Sequence, residues 1–193
     1  YAVFCNYADH CTARIEKNGE SAMKQILIIV DMQNDFIDGA LGTKEAQAII
    51  ENVYQVIQSF EGEVVFTRDT HFENYADTQE GKKLPIPHCI KGTNGWQINS
   101  KLKNLIKPET KIFDKITFGS TELTEYLKNN KELEKVTLAG LCTDICIISN
   151  ALLIKANLPE VEIEVLENCC AGVTPESHIN ALNAMKMCQI SVK

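Results

Sequence analysis

A cysteine just after a glycine turn is the residue of this sequence best suited to covalent chemistry. The stretch 135–146 reads as an apolar strand, a tight turn at Gly140 and the first turn of a helix that carries Cys146. Unpaired backbone N–H groups and the positive end of a helix dipole favour the thiolate there. Thr143 or Asp144 can cap the helix, and N–H groups of the same loop can hold an oxyanion. Cys146 is therefore our candidate nucleophile, and the alternative is a small buried hydrophobic residue.

Two charged residues that end or follow apolar runs fit the other roles in such a reaction. Asp31 ends the run that begins at Ile26, and Lys115 follows a short run at 112–114. Asp31 can take the thiol proton and return it to a leaving group. Lys115 can hold both anions in place and favour the thiolate. The alternative roles are a turn cap for Asp31 and a surface charge for Lys115.

The polar loop 69–99 holds a second group of residues that can do chemistry. Its candidate metal ligands are Asp69, His71, Glu80 and His88. The Asp-x-His spacing places two side chains on one side of an extended segment, where both can bind one ion. Imidazole and carboxylate groups suit zinc, iron or manganese, and open positions would admit water and substrate. Glu73 and Asp77 are rival carboxylates to Glu80, and the alternative is a solvated loop.

Alternating apolar runs and helical patterns must position these residues. The runs predict strands over 26–31, 63–68, 112–114, 136–139, 161–166 and 189–192. The helical patterns predict helices over 43–60, 120–128, 176–187 and from the cysteine turn to residue 156. Such alternation gives a parallel sheet covered on both faces, with ligands bound beyond the carboxyl ends of the strands. The candidate residues at strand ends are therefore expected to converge.

Length and composition favour one domain and exclude several classes of partner. The chain has 193 residues, of which 45% are hydrophobic, which is enough for one core. A net charge of −7 without a Lys/Arg run disfavours nucleic acid as a partner. No apolar run reaches the roughly 18 residues of a membrane span. Residues 1–22 do not join smoothly to the run after Met23, so we treat them as an appendage to a domain over 23–193.

The cysteines indicate a reducing environment. The eight cysteines are scattered without a compact framework, which is typical of reduced intracellular thiols in a chain with a large core. No basic start followed by an apolar core precedes the first strand, as a signal peptide would require. We therefore expect a cytoplasmic protein.

Several spaced motifs together give the sequence a family resemblance. They are Asp31-Met32-Gln33-Asn34-Asp35-Phe36, Asp69-x-His71 with Glu80 and His88-Cys89-x-x-Gly92-Thr93, Lys115, and Gly140-x-x-Thr143-Asp144-x-Cys146. Over about residues 24–193 they resemble nicotinamidase/pyrazinamidase enzymes of the isochorismatase-like cysteine hydrolase superfamily. The resemblance implies an α/β three-layer sandwich with a central parallel sheet. It also implies hydrolysis of nicotinamide, and of pyrazinamide, to the acid and ammonia, with a role in NAD salvage.

Roles for single residues follow from the same resemblance. It implies a catalytic triad of Asp31, Lys115 and Cys146, and an oxyanion hole made by the N–H groups of Cys142 and Cys146 after a cis bond from Leu141. Cys142 departs from the smaller residue, such as Ala, that often stands there. The resemblance also implies one divalent metal ion, with zinc preferred over iron or manganese. Its implied ligands are Asp69, His71, Glu80 and His88. The ion would bind the pyridine nitrogen of the substrate. The candidates for the ring pocket are Phe36, Trp96 and Phe118.

Two other functions stay open from the sequence. A relative that hydrolyses a different small substrate, such as an isochorismate vinyl ether or another amide, needs no metal loop, so metal content distinguishes it. A protein that keeps the fold without catalysis would bind a partner and use the appendage 1–22 as an interaction peptide. For the folded domain we expect a homo-oligomer.

Overall fold

Six parallel strands form the centre of the molecule, and the computed structural model describes residues 24–193. In chain order the strands are β1 (Lys24–Val30), β2 (Glu63–Asp69), β3 (Ile112–Lys115), β4 (Leu133–Leu141), β5 (Glu162–Ala171) and β6 (Ser191–Val192). Their order across the sheet is β3-β2-β1-β4-β5-β6. The predicted parallel sheet is confirmed. The chain adds β2 and β3 on one side of β1 and β4, β5 and β6 on the other, so the direction in which strands are added reverses between β1 and β4. The predicted appendage 1–22 lies outside the described residues.

Helices cover both faces of this sheet. They are α1 (Asn34–Ile37), α2 (Lys44–Ala48), α3 (Ile50–Ser59), α4 (Gln79–Lys83), α5 (Ser100–Lys103), α6 (Thr121–Lys128), α7 (Ile148–Asn157) and α8 (Pro175–Met187). Alternate side chains of β1 enter two different cores: Ile28 packs with residues of α6, α7 and α8, and Leu27 with residues of α1, α2, α3 and α5. The predicted three-layer sandwich is confirmed. Among the described residues, no helix has the length and apolar character needed to cross a bilayer.

Several predicted boundaries differ from the observed ones. The helix expected over 43–60 is divided at Ile49 into α2 and α3. The loop 69–99 is not structureless, because it contains α4. β5 runs to Ala171 instead of ending at residue 166, since its last residues pair with β4. At that pairing Gly140 has a φ of 125°, and a Cβ atom there would lie 2.1 Å from the Val30 carbonyl oxygen, so only glycine fits.

Candidate active site

Side chains from the carboxyl ends of three neighbouring strands meet beside the turn after β4. Asp31 directly follows β1, Asp69 ends β2 and Lys115 ends β3. The other neighbour of β1 is β4, whose exit carries Cys146. Because these strands are parallel, their ends lie at one edge of the sheet, where the winding reverses. The structure thus brings together the three residues predicted as a triad.

The ammonium group of Lys115 is the centre of this cluster. Its Nζ lies 2.6 Å from Asp31 Oδ2, 3.2 Å from Asp69 Oδ1 and 3.4 Å from Cys146 Sγ. Burial acts to lower the pKa of Lys115, but the charges of Asp31 and Asp69, and that of Cys146 whenever its thiol ionises, outweigh it and raise that pKa well above its ordinary value. Lys115 is therefore a permanent cation that offsets the charge of two buried carboxylates.

The surroundings of Cys146 favour the protonated thiol over the thiolate. Burial raises the pKa of the thiol well above its ordinary value, and the charge of Lys115 offsets only part of that rise. Burial therefore opposes the thiolate expected from the start of a helix, because desolvation disfavours the charged form. The negative charge of the Asp31 carboxylate raises that pKa further. Nucleophilic attack thus requires this carboxylate to take the proton as the sulfur–carbon bond forms.

Backbone geometry and one hydroxyl group aim the carboxylate of Asp31. Its φ is 48°, a left-handed conformation uncommon for a residue other than glycine. Thr67 on β2 donates from Oγ1 to Asp31 Oδ1 over 2.6 Å and accepts from Asp31 N over 3.2 Å. Burial raises the pKa of Asp31 against the lowering effect of Lys115, which suits a group that must accept and return a proton. Sequence reasoning missed Thr67, since a threonine inside a strand carries no signal of such a role.

Cys146 lies in a π-helical turn, Thr143–Ile147, and not in the first turn of a regular α-helix. Ile147 N donates to Cys142 O over 3.0 Å, which is an i to i−5 bond, and turns of this kind are frequent at functional sites. The peptide bond between Leu141 and Cys142 is cis, as expected. The N–H groups of Cys142 and Cys146 stay our prediction for the oxyanion hole.

Side-chain contacts to α8 and the segment before it hold this turn. Thr143 Oγ1 lies 2.8 Å from His178 Nδ1 on α8. The carboxylate of Asp144 accepts from Val173 N over 3.1 Å. We expected Thr143 or Asp144 to cap the helix, and this prediction is wrong: neither does so, because each is used in a longer-range contact. The turn is therefore fixed from outside by residues that no local motif identifies.

Four side chains at the end of β2 and in the loop after it bring their donor atoms together. These atoms all lie within 4.8 Å of one another, and their residues are Asp69, His71, Glu80 and His88. They are the four ligands that the resemblance implies, and α4 supplies Glu80. Within residues 24–193, the rival carboxylates Glu73 and Asp77 do not belong to this donor group.

The donor group fits a divalent metal ion. His71 Nε2 is buried and has no hydrogen-bond partner among the described residues, although Asp69 Oδ2 lies 2.9 Å away. His88 Nδ1 lies 2.9 Å from the carbonyl oxygen of Ile86, so the proton belongs on Nδ1 and the Nε2 lone pair is left for an ion. Two imidazoles and two carboxylates are a donor set that zinc, iron and manganese accept.

A cavity with a volume of about 560 Å³ joins the donor group to Cys146. This volume is typical of small-molecule sites. Phe36 and Phe118, both predicted for the ring pocket, line its wall together with Leu84 and Ile116. A second cavity of about 660 Å³ opens at the amino ends of the strands, but neither cysteine nor histidine lines it.

The structure does not bring Trp96 into this cavity, which corrects its predicted place in the ring pocket. The guanidinium carbon of Arg68 lies 3.7 Å from the centre of the indole ring. The indole Nε1 donates to Thr70 Oγ1 over 2.9 Å. Trp96 thus packs against Arg68 of β2, outside the cavity. A cation–π contact stabilises its ring there, and a hydrogen bond satisfies its indole N–H.

A comparison with known families decides where this geometry belongs. The family model described as the Isochorismatase domain matches residues 25–192. The chain belongs to the isochorismatase family. The match covers both the strand ends that carry the triad residues and the loop that carries the donor group.

Relatives within the isochorismatase family span nearly the same length. The uncharacterized isochorismatase family protein PncA of Bacillus subtilis is 32% identical over 175 residues, which are 83% of this chain and 93% of that protein. A nicotinamidase/pyrazinamidase of Mycobacterium tuberculosis is 26% identical over 184 residues, 86% of this chain and 96% of the relative. The crystal structure of a pyrazinamidase of Pyrococcus horikoshii in complex with zinc has a TM-score of 0.74 at 29% identity, and the match covers 88% of this chain and 98% of that one.

Proposed function

We propose that this protein is a nicotinamidase, which hydrolyses nicotinamide to nicotinate and ammonia. One observation carries the proposal: a single cavity is lined both by the nucleophile candidate Cys146 and by members of the four-residue donor group. A cysteine hydrolase of a generic amide needs only the first of these. The second suits a substrate whose ring nitrogen can bind a metal ion. The nicotinamidase relatives support the same substrate.

The first half of the reaction forms a thioester. Cys146 Sγ adds to the carboxamide carbon, and the thiol proton passes to Asp31. Asp31 then protonates the amide nitrogen, the C–N bond breaks and ammonia leaves. Lys115, 3.4 Å from the sulfur, stabilises the negative charge that develops, and the N–H groups of Cys142 and Cys146 bind the carbonyl oxygen.

The second half consumes one water molecule. Asp31 removes a proton from water, the hydroxide adds to the thioester carbon, and the C–S bond breaks. The proton held by Asp31 returns to the sulfur, so the enzyme regains its neutral thiol, and the acid leaves as nicotinate after its hydroxyl proton passes to solvent. The raised pKa of the Cys146 thiol therefore fits a group that ends each cycle protonated.

Substrate orientation is the role of the remaining residues. A divalent ion held by Asp69, His71, Glu80 and His88, zinc in our proposal, would supply a Lewis acid for the pyridine nitrogen. Phe36 and Phe118 line the same cavity, where they can pack on the ring and exclude water from it.

A deamidation assay on protein of known metal content tests the proposal. We expect ammonia release from nicotinamide, with a much lower kcat/KM for benzamide, because benzamide has the same carboxamide but lacks the ring nitrogen. Equal kcat/KM values for the two amides would contradict the proposed role of the ring nitrogen. No turnover of nicotinamide by zinc-loaded protein would refute the proposed function.

A further inference from the structure

Gln33 is a fully buried amide that makes two of its three hydrogen bonds to the backbone of Asp69, a residue of the donor group. Its Oε1 accepts from Asp69 N over 2.7 Å, and its Nε2 donates to Asp69 O over 2.8 Å. The second Nε2 proton goes to the carbonyl oxygen of Trp96, 2.9 Å away. The side chain has an exposed fraction of 0%, so each of these bonds is made away from water.

The position of Gln33 explains why an amide is needed there. The paired register of β1 and β2 ends at Ile29 and Phe66, the last backbone bond between the two segments runs from Asp31 N to Thr67 O over 3.3 Å, and the chain turns away from β2 after Asp31. The backbone N–H and C=O groups of Asp69 therefore lie buried at the end of β2, on the side that faces β1, where no strand is left to pair with them. A primary amide has the same donor and acceptor as a peptide group, so the Gln33 side chain takes the place of the missing strand.

The consequence of this pairing reaches the carboxylate of Asp69. With the backbone of Asp69 fixed on both polar groups, its Oδ1 lies 3.2 Å from Lys115 Nζ. Its Oδ2 lies 2.9 Å from His71 Nε2, inside the donor group. A small rotation of this residue would take one oxygen away from the donor atoms and the other away from the lysine.

We propose that Gln33 is a positioning residue for the metal site, and that it acts through the backbone of Asp69. The inference rests on the proposed function for the identity of the site. Residues of this kind do not touch the ion, yet the loss of one typically weakens metal binding by about 10- to 100-fold. Gln33 thereby connects the loop after β1, which carries the general base Asp31, to the residues that orient the substrate.

The test is the zinc dissociation constant of the purified Gln33→Met variant, measured by competition with a chelating indicator. Methionine has nearly the same length and volume but leaves the Asp69 backbone groups unpaired. We expect the dissociation constant to rise about 10- to 100-fold at a temperature where circular dichroism shows the variant folded. The KM for nicotinamide should rise as well, and excess zinc should restore part of the activity. Thr124→Val is the matched control, since Thr124 is also a buried polar residue, with an exposed fraction of 2%, but lies on α6.

Each outcome has a defined meaning. A folded Gln33→Met variant with the wild-type dissociation constant and KM would overturn the inference, and so would a Thr124→Val variant with the same loss. Should Gln33→Met fail to fold, Gln33→Asn provides the same readout, because its amide is one methylene too short to reach Asp69. A wild-type protein that binds zinc without hydrolysing nicotinamide would refute the proposed function alone, since the dissociation constants still report on Gln33.

Discussion

Asp69 and Lys115 join the cluster around the candidate nucleophile Cys146 to the four-residue donor group. Oδ1 of the carboxylate lies 3.2 Å from Lys115 Nζ, while Oδ2 lies 2.9 Å from His71 Nε2. The same ammonium group lies 2.6 Å from Asp31 Oδ2. One lysine therefore balances two buried carboxylates, one of which belongs to each half of the site. A substitution at Lys115 is expected to affect both the reactivity of the thiol and the position of a metal ligand.

The charge of Lys115 should be measurable through the reactivity of Cys146. The lysine lowers the pKa of a thiol that burial raises, so Lys115→Met should raise that pKa further. Less thiolate is then present at any given pH, and alkylation by iodoacetamide should slow about tenfold for each unit of pKa. The measurement is the pH profile of alkylation of the peptide that contains Cys146, read by mass spectrometry. An unchanged profile, with exposed Lys103→Met as the control, would refute this role of Lys115.

Glu80 and its rival Glu73 provide a matched pair of substitutions that tests the metal site. Glu80 belongs to the donor group, whereas Glu73 does not. Glu80→Gln should weaken zinc retention about 10-fold or more and raise the KM for nicotinamide, while Glu73→Gln should leave both unchanged. Elemental analysis after dialysis against a chelator, followed by kinetics, checks both. Equal loss of zinc from the two variants would show that the donor group is wrongly assigned.

The stability of the fold depends on the side chains buried between the sheet and its helices. Leu138 on β4 is completely buried, and Leu138→Ala should lower the free energy of unfolding by about 2–5 kcal/mol, because it leaves a cavity. Leu152 on α7 is 38% exposed, so Leu152→Ala should cost much less. Urea unfolding monitored by circular dichroism measures both values. A larger loss for Leu152→Ala would contradict the described core.

Much of the fold could be predicted because parallel strands buried on both faces leave continuous apolar runs, as in residues 26–30. The placement of Asp31 followed because it comes at the end of such a run, and that of Lys115 because it follows the short strand predicted over 112–114. Contacts between distant residues could not be predicted. Thr67 reaches Asp31 across 36 residues of sequence, and Thr143 meets His178 on α8.

The state of the thiol and the place of the tryptophan were also beyond sequence reasoning. A helix start favours a thiolate at Cys146, but the burial that opposes the thiolate exists only once the layers have packed. Trp96 lies in the loop that contributes to the cavity, yet its side chain contacts Arg68 and Thr70 and does not line the cavity. The homo-oligomer, the cytoplasmic location and the appendage 1–22 stay predictions.

The choice between two neighbouring thiols is the centre of the proposed mechanism. Cys142 and Cys146 both line the cavity. Burial raises the pKa of Cys142 to about 12, and only the backbone of this residue has a role in our account. Cys142→Ala should therefore keep most of its activity, whereas Cys146→Ala should lose nearly all of it while the fold is retained.

The most direct measurement is ammonia release from nicotinamide by zinc-loaded wild-type, Cys142→Ala and Cys146→Ala proteins, compared at saturating substrate. We expect kcat within about threefold of wild type for Cys142→Ala and a loss of at least about 10⁴-fold for Cys146→Ala. Acid-quenched wild-type protein should carry a nicotinoyl group on the peptide that contains Cys146. Ammonia release by Cys146→Ala at a rate near that of wild type would contradict the account.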